Sequence, residues 1–150
     1  MAKALGNGVP VGAFLACGKA ASAMVPGDHG TTYGGNPFVC AAAGKVLDLF
    51  EEKQIVEHVK EIGAYLEEKL AGFVDQYEVV TAARGKGLIR GLEFSVPVAP
   101  VVQNALLEQK LVLISAGTNI IRFVPPLIIS REDVDDMAER LKKAIEAVNQ

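Results

Sequence analysis

The glycines decide most about what this chain can fold into. Gly6, Gly8, Gly12, Gly18, Gly27, Gly30, Gly34 and Gly35 break every apolar run between Met1 and Pro37, whereas from Phe38 onward apolar residues recur with regular periods. A segment so interrupted reads as loop with one strand candidate, Val11 to Cys17. A lone strand has nothing to pair its backbone groups with, so this first part is expected to lack neighbours and the chain to be a piece of a longer fold. The periodic remainder is different, and with half of its 150 residues apolar the chain as a whole can bury a core.

Periodicity then divides that remainder. Asn36 followed by Pro37 predicts an N-cap and first helical residue, and Phe38, Ala42, Val46, Leu49 and Phe50 continue a helix to about Lys53. Ile55, Val59, Ile62, Leu66, Leu70 and Phe73 mark the apolar stripe of a second, amphipathic helix. Glu78 to Ala82 and Leu88 to Phe94 read as strands around the turn Arg84-Gly85-Lys86-Gly87. Pro97 and Pro100 break the chain before a short helix, Val101 to Gln109, and two more strands are expected at Leu111 to Ile114 and Asn119 to Val124. Ser130 with Asp133 resembles a capping box, and Val134, Met137, Leu141, Ile145 and Val148 form the apolar face of a last helix.

Composition narrows the partners. A net charge of -3 with 22% charged residues leaves no basic surplus for a phosphate backbone, so nucleic acid is not an expected partner. Apolar runs stop well short of the roughly 20 residues a membrane helix needs, and no signal-peptide pattern opens the chain, so no membrane association and a cytoplasmic location are expected. Cys17 and Cys40 sit among small apolar residues and read as buried thiols, not as a disulfide or zinc pair.

Three segments carry chemistry. Lys3 lies in an apolar, glycine-rich run; desolvation there would favour the neutral amine that attacks an aldehyde, while a bare lysine near a terminus is ordinarily a solvated charge. Thr31 and Thr32 stand in a glycine-rich turn before a helix, where hydroxyls and open backbone N–H groups suit phosphate oxygens, or where a tight turn simply leads into a capped helix. Arg122 interrupts an apolar strand and calls for an anion, either a structural ion-pair partner or a ligand carboxylate. His29 has no partner cluster and reads as structuring its loop, and His58 as half exposed at the edge of a helix stripe.

These segments, in this order, resemble the class III aminotransferases. The run Ala2-Lys3-Ala4-Leu5-Gly6-Asn7-Gly8-Val9-Pro10-Val11-Gly12-Ala13 is similar to the one around the lysine that holds pyridoxal 5'-phosphate in that family. His29-Gly30-Thr31-Thr32-Tyr33-Gly34-Gly35-Asn36-Pro37 and Arg122-Phe123-Val124-Pro125-Pro126-Leu127 match two further family motifs, as does the Arg84 to Glu93 run. Within the family the loop Pro26 to Gly30 looks most like the acetylornithine aminotransferases.

The resemblance implies an α/β and α+β architecture, the C-terminal portion of a fold-type I PLP-dependent transferase. Residues 1–53 would be the end of the large domain with the lysine loop, and residues 54–150 a linker helix with the small C-terminal domain. It implies catalysis and cofactor attachment at Lys3, cofactor phosphate binding by Thr32 of a neighbouring subunit in a homodimer, and substrate contacts from Thr31 and Arg122. It also implies amino transfer from N-acetylornithine to 2-oxoglutarate in arginine biosynthesis. The family's upstream phosphate loop, ring-stacking aromatic, ring-pairing aspartate and second arginine have no counterpart among these residues, so little transaminase activity is expected of the chain alone. Alternatives stay open: a catalytically silent fragment or interaction module, an ornithine or other omega-amino acid aminotransferase, or an anion-binding domain built on the threonines.

Overall fold

In a computed structural model that describes residues 1–148, the chain divides into two compact units, Met1–Gln54 and Ile55–Gln150. The first holds a 3-10 turn at Lys3–Gly6, a short helix α1 (Gly18–Ser22) and a long helix α2 (Pro37–Glu52). α2 starts where the sequence predicts, because Asn36 Oδ1 accepts the Val39 N–H at 3.2 Å and Pro37 fills a position whose N–H would have no acceptor.

Val11 to Cys17 is not a strand. Its backbone is without regular structure, and its ladder pairing is limited to Ala13, whose N–H donates to the Met1 carbonyl at 3.0 Å. A strand exists only through a partner, and this unit offers none. The cysteines are also not buried: Cys17 and Cys40 are both exposed. The alanines and glycines around them are too small to cover a thiol, and Val39 is the one large apolar residue this unit buries among those described.

The second unit begins with α3 (Ile55–Gln76), followed by β1 (Val80–Lys86), β2 (Ile89–Phe94), α4 (Ala99–Leu107), β3 (Ile114–Ser115), β4 (Ile120–Phe123) and α5 (Arg131–Val148). The four strands form one antiparallel sheet in the order β1-β2-β4-β3. β1 runs on through three of the four residues expected to turn, pairing Arg84 with Gly91, Gly85 with Arg90 and Lys86 with Ile89. The hairpin closes instead over Gly87 and Leu88, with Gly87 at φ 56, the two-residue loop that suits the strand twist.

Pro100 opens α4 and does not break it, because a proline in the first turn removes an N–H that has no helical acceptor. Leu111 to Leu113 stay outside β3, since the facing stretch runs into Pro125 and Pro126, of which neither has an N–H to offer. The Ser130–Asp133 box is present as expected. The Ser130 N–H donates to Asp133 Oδ2 at 2.8 Å, and the Asp133 N–H donates to Ser130 Oγ at 3.1 Å.

Strand alternation sorts the sheet into two faces. Arg90, Leu92 and Phe94 of β2, with Ile121 and Phe123 of β4, are buried against Leu66 and Leu70 of α3, Val101 of α4 and Leu141 and Ile145 of α5. Each fully buried Leu, Ile or Phe contributes roughly 1.5–3 kcal/mol relative to an exposed one, so this cluster holds the unit together. The opposite face carries Arg84, Ile89, Gly91, Glu93 and Arg122 and is open or half-open. α3 is further fastened to α5 on the outside: Tyr65 donates to Asp135 at 2.7 Å, Lys69 pairs with Asp135 at 2.6 Å, and Arg131 pairs with Glu61 at 3.0 Å while lying over the Tyr65 ring.

Candidate functional site

Lys3 opens its 3-10 turn with φ 58, in the left-handed region that side-chain-bearing residues rarely occupy. The turn closes at Asn7, φ 48, whose N–H donates to the Ala4 carbonyl at 2.9 Å. Gly6 lies buried against Val11, where an added Cβ would stand 2.7 Å from Val11 Cγ1, so the loop and the following segment can touch only at a glycine. The Met1 amine and the Ala13 carbonyl complete the clasp. Lys3 itself remains exposed, because the alanines on either side cannot cover a four-carbon stem. Burial within the chain therefore does not supply the desolvation that its apolar neighbours suggest.

The threonine turn is held at both ends. Val25 donates its N–H to Asp28 Oδ2 at 2.9 Å, Asn36 Nδ2 donates to the Tyr33 carbonyl at 2.8 Å, and His29 meets the Phe14 ring edge-on at 5.4 Å between centroids. His29 thus ties the loop to the segment that follows the lysine turn, as a structuring residue. Gly34 packs so closely that a Cβ there would sit 2.1 Å from Thr31 Cγ2, and Gly35 takes φ 66. Thr31 and Thr32 are exposed, and neither hydroxyl has a hydrogen-bond partner among the described residues.

Arg122 sits on β4 between buried Ile121 and Phe123, which anchor its backbone, and it faces Gly91 of β2 on one side and Ile114 of β3 on the other. It is exposed and has no ion-pair partner among the described residues. Arg122 is among the residues lining a cleft of about 360 Å³ at the β3–β4 end of the sheet, walled by Val112, Ile114, Phe123 and Pro125 and floored on the core side by Leu66 and Met137. The walls are almost wholly apolar, and Arg122 and Asp133 are the charged residues on them. Lys3, Thr31 and Thr32 belong to the unit Met1–Gln54 and Arg122 to the unit Ile55–Gln150.

One arginine escapes a reading based on motifs. Arg90 is buried at 6% exposure and uses four of its five N–H donors, donating from Nε to the Gly87 carbonyl at 2.9 Å, from Nη1 to the Gly85 carbonyl at 3.1 Å, and from Nη2 to the Gly63 carbonyl at 3.1 Å and Glu67 at 2.9 Å. It binds the hairpin to α3. Its alternation with Leu92 and Phe94 is the sequence signal that marks it as inward. His58, half buried as expected, hydrogen-bonds the Ile129 carbonyl at 2.9 Å.

The family model for Aminotransferase class-III matches residues 1–145. Among curated relatives, the chain is 43% identical over 150 residues to an acetylornithine aminotransferase of Bradyrhizobium diazoefficiens, covering 99% of this chain and 37% of the relative. It is 48% identical over 136 residues to the acetylornithine aminotransferase of Clostridium acetobutylicum, covering 90% of this chain and 35% of the relative. The chain thus spans little more than a third of the length of these proteins. Among solved structures, an ornithine aminotransferase from Plasmodium yoelii superposes with a TM-score of 0.80 at 29% identity, over 88% of this chain and 36% of that one. The fold is thus the mixed α/β fold of part of an aminotransferase, and the lysine loop, the threonine turn and the arginine strand all lie inside the matched region. On the family match and these identities, the chain belongs to the class III aminotransferases.

Proposed function

We propose that Lys3, Thr31, Thr32 and Arg122 are working residues of an aminotransferase that uses pyridoxal 5'-phosphate and moves an amino group from N-acetylornithine to 2-oxoglutarate, a step of arginine biosynthesis. One observation carries the reading. In a class III chain, an amine, two hydroxyls and a guanidinium are each held by local structure, and none is consumed by an internal partner among the described residues. The names of the relatives, acetylornithine aminotransferases, support the choice of substrate.

The residues suit the cofactor. The Thr31–Gly35 turn has no room for a side chain at Gly34, and its two threonines are exposed with hydroxyls that have no partner among the described residues, a donor set fit for a phosphate. Thr32 would bind that phosphate from the neighbouring subunit of a homodimer, and Lys3 Nζ would hold the aldehyde carbon. When bound, the cofactor supplies an electron sink for charge developing on the substrate carbon. Lys3 Nζ would also be the base that carries the proton from the substrate carbon to the cofactor side, so that the amino group stays with the cofactor. Arg122, exposed and without an ion-pair partner among the described residues, grips a substrate carboxylate with two parallel N–H donors, and Thr31 lies beside the substrate. A cytoplasmic location accompanies this reading.

A second reading, a catalytically silent folded module, is favoured by the concentration of the buried core in Ile55–Gln150. The name of the Plasmodium yoelii neighbour favours ornithine or another omega-amino acid as a variant donor. The test compares pyridoxal 5'-phosphate with pyridoxal, which lacks the phosphate, by absorbance titration. Tighter binding of the phosphorylated form, weakened about tenfold in Thr32→Ala, is expected from loss of a charge-assisted hydrogen bond. Equal binding of the two compounds, unaffected by the substitution, would sink the phosphate assignment. Sedimentation of the loaded protein checks the dimer.

A further inference from the structure

The open face of the sheet places one carboxylate between two arginines. In the register, Arg84 of β1 and Arg122 of β4 both pair with Gly91 of β2, one from each side. Glu93, two residues along β2 on the same face, therefore has the same diagonal relation to both. Diagonal neighbours of this kind lie about 7–8 Å apart at the backbone, within the reach of long side chains. Glu93 has taken Arg84, at 2.8 Å, and has no bond to Arg122. Gly91, between the arginines, has no side chain of its own to block either choice; Ile120 Cγ2 packs closely beside it, 3.3 Å from where a Cβ would stand.

The competition has a physical consequence. The Glu93 side chain is 29% exposed and has the apolar Ala82 and Ile120 directly across the register on either side, so a carboxylate deprived of its cation there is driven to the next one within reach. The nearest alternative cation in the register is Arg122. We infer that Arg84 is a positioning residue: by holding Glu93 it keeps the Arg122 guanidinium free for an external carboxylate, and without Arg84 the protein's own Glu93 would occupy Arg122. The inference rests on the reading of Arg122 as a carboxylate ligand, which no other role of Arg84 requires. Arg84 does not touch the ligand; it removes an internal competitor.

The test uses the whole chain, with glutarate as the dicarboxylate probe and the guanidinium Nε–Hε signal of Arg122 followed by NMR. In Arg84→Gln the Arg122 signal is expected to shift and exchange more slowly before any ligand is added, and to revert in Arg84→Gln/Glu93→Gln. Glutarate affinity is expected to fall about threefold in Arg84→Gln, the size of a partly exposed ion pair, and to recover in the double variant. Recovery on removing a second group distinguishes competition from a loss of fold, which a further substitution would not repair. An Arg122 signal unchanged by Arg84→Gln overturns the inference whatever the ligand does. Pairing of Glu93 with Arg122 in that variant, together with glutarate affinity indifferent to Arg122→Gln, upholds the competition and rejects the carboxylate reading beneath it.

Discussion

At the scale of single residues, the side chains that decide local structure are those whose removal leaves something unpaired or overfilled. Replacing Arg90 by Ala strips donors from the carbonyls of Gly63, Gly85 and Gly87 at once, and a loss of about 2–3 kcal/mol is expected in urea unfolding. Gly63→Ala overpacks the same junction, since the new Cβ would lie 2.8 Å from the Gly87 backbone; about 1–3 kcal/mol follows from forcing α3 off the hairpin. Tyr77 gives a pH-dependent signature. Burial, then its hydrogen bond to Glu146, pushes its hydroxyl up to about 12. A raised acid holds its proton longer in the folded state, so the stability it contributes is intact below about pH 10 and is lost as pH rises toward 12. An alkaline absorbance titration should show a late tyrosinate that Tyr77→Phe removes; a titration in which all three tyrosines ionise together would refute it.

At the scale of elements, caps and alternation carry the information. The start of α5 depends on the Ser130–Asp133 box, and Ser130→Ala should cost about 1 kcal/mol in thermal or urea melts. The Asp133 carboxyl is held below its usual range, first by the Ser130 N–H and then by its hydroxyl. Its contribution is therefore present above the ordinary carboxylate pKa and lost as pH falls through the lowered one, and Asp133→Asn should flatten that part of the acid limb. The starts of α2 and α5 are legible in the sequence because Asn36-Pro37 and Ser130 with Asp133 act on their own backbones within one turn. Sheet elements are less so. The extent of β1 depends on Gly91 and Arg90 across the hairpin, and the fate of Val11 to Cys17 depends on a partner, and neither can be read from the residues in the element itself. The burial of Arg90 was in principle legible from alternation, but a glycine-rich run invites a turn reading first.

For the molecule as a whole, the distribution of buried side chains predicts uneven stability. Apart from Val39, the large apolar residues that the structure buries lie from Ile55 onward. Hydrogen exchange should therefore find the slowest amides in α3, β2, β4 and α5, and exchange faster by orders of magnitude between Ala13 and Asn36; uniform protection would contradict this. The same contrast explains what the sequence discloses of the site. Arg122 can be found because a charge in an apolar strand stands out, whereas Lys3, Thr31 and Thr32 are conspicuous only through their motifs: in bare physical terms they are exposed groups on glycine-rich loops. The chemistry of the site turns on Lys3. The most direct measurement is borohydride reduction of the chain with pyridoxal 5'-phosphate, followed by peptide mass mapping, with Lys3→Ala as control. A pyridoxyl group fixed on Lys3 in preference to the other lysines, and absent from the control, is the expected result. Modification spread evenly over the lysines, and unchanged in total by Lys3→Ala, would contradict it.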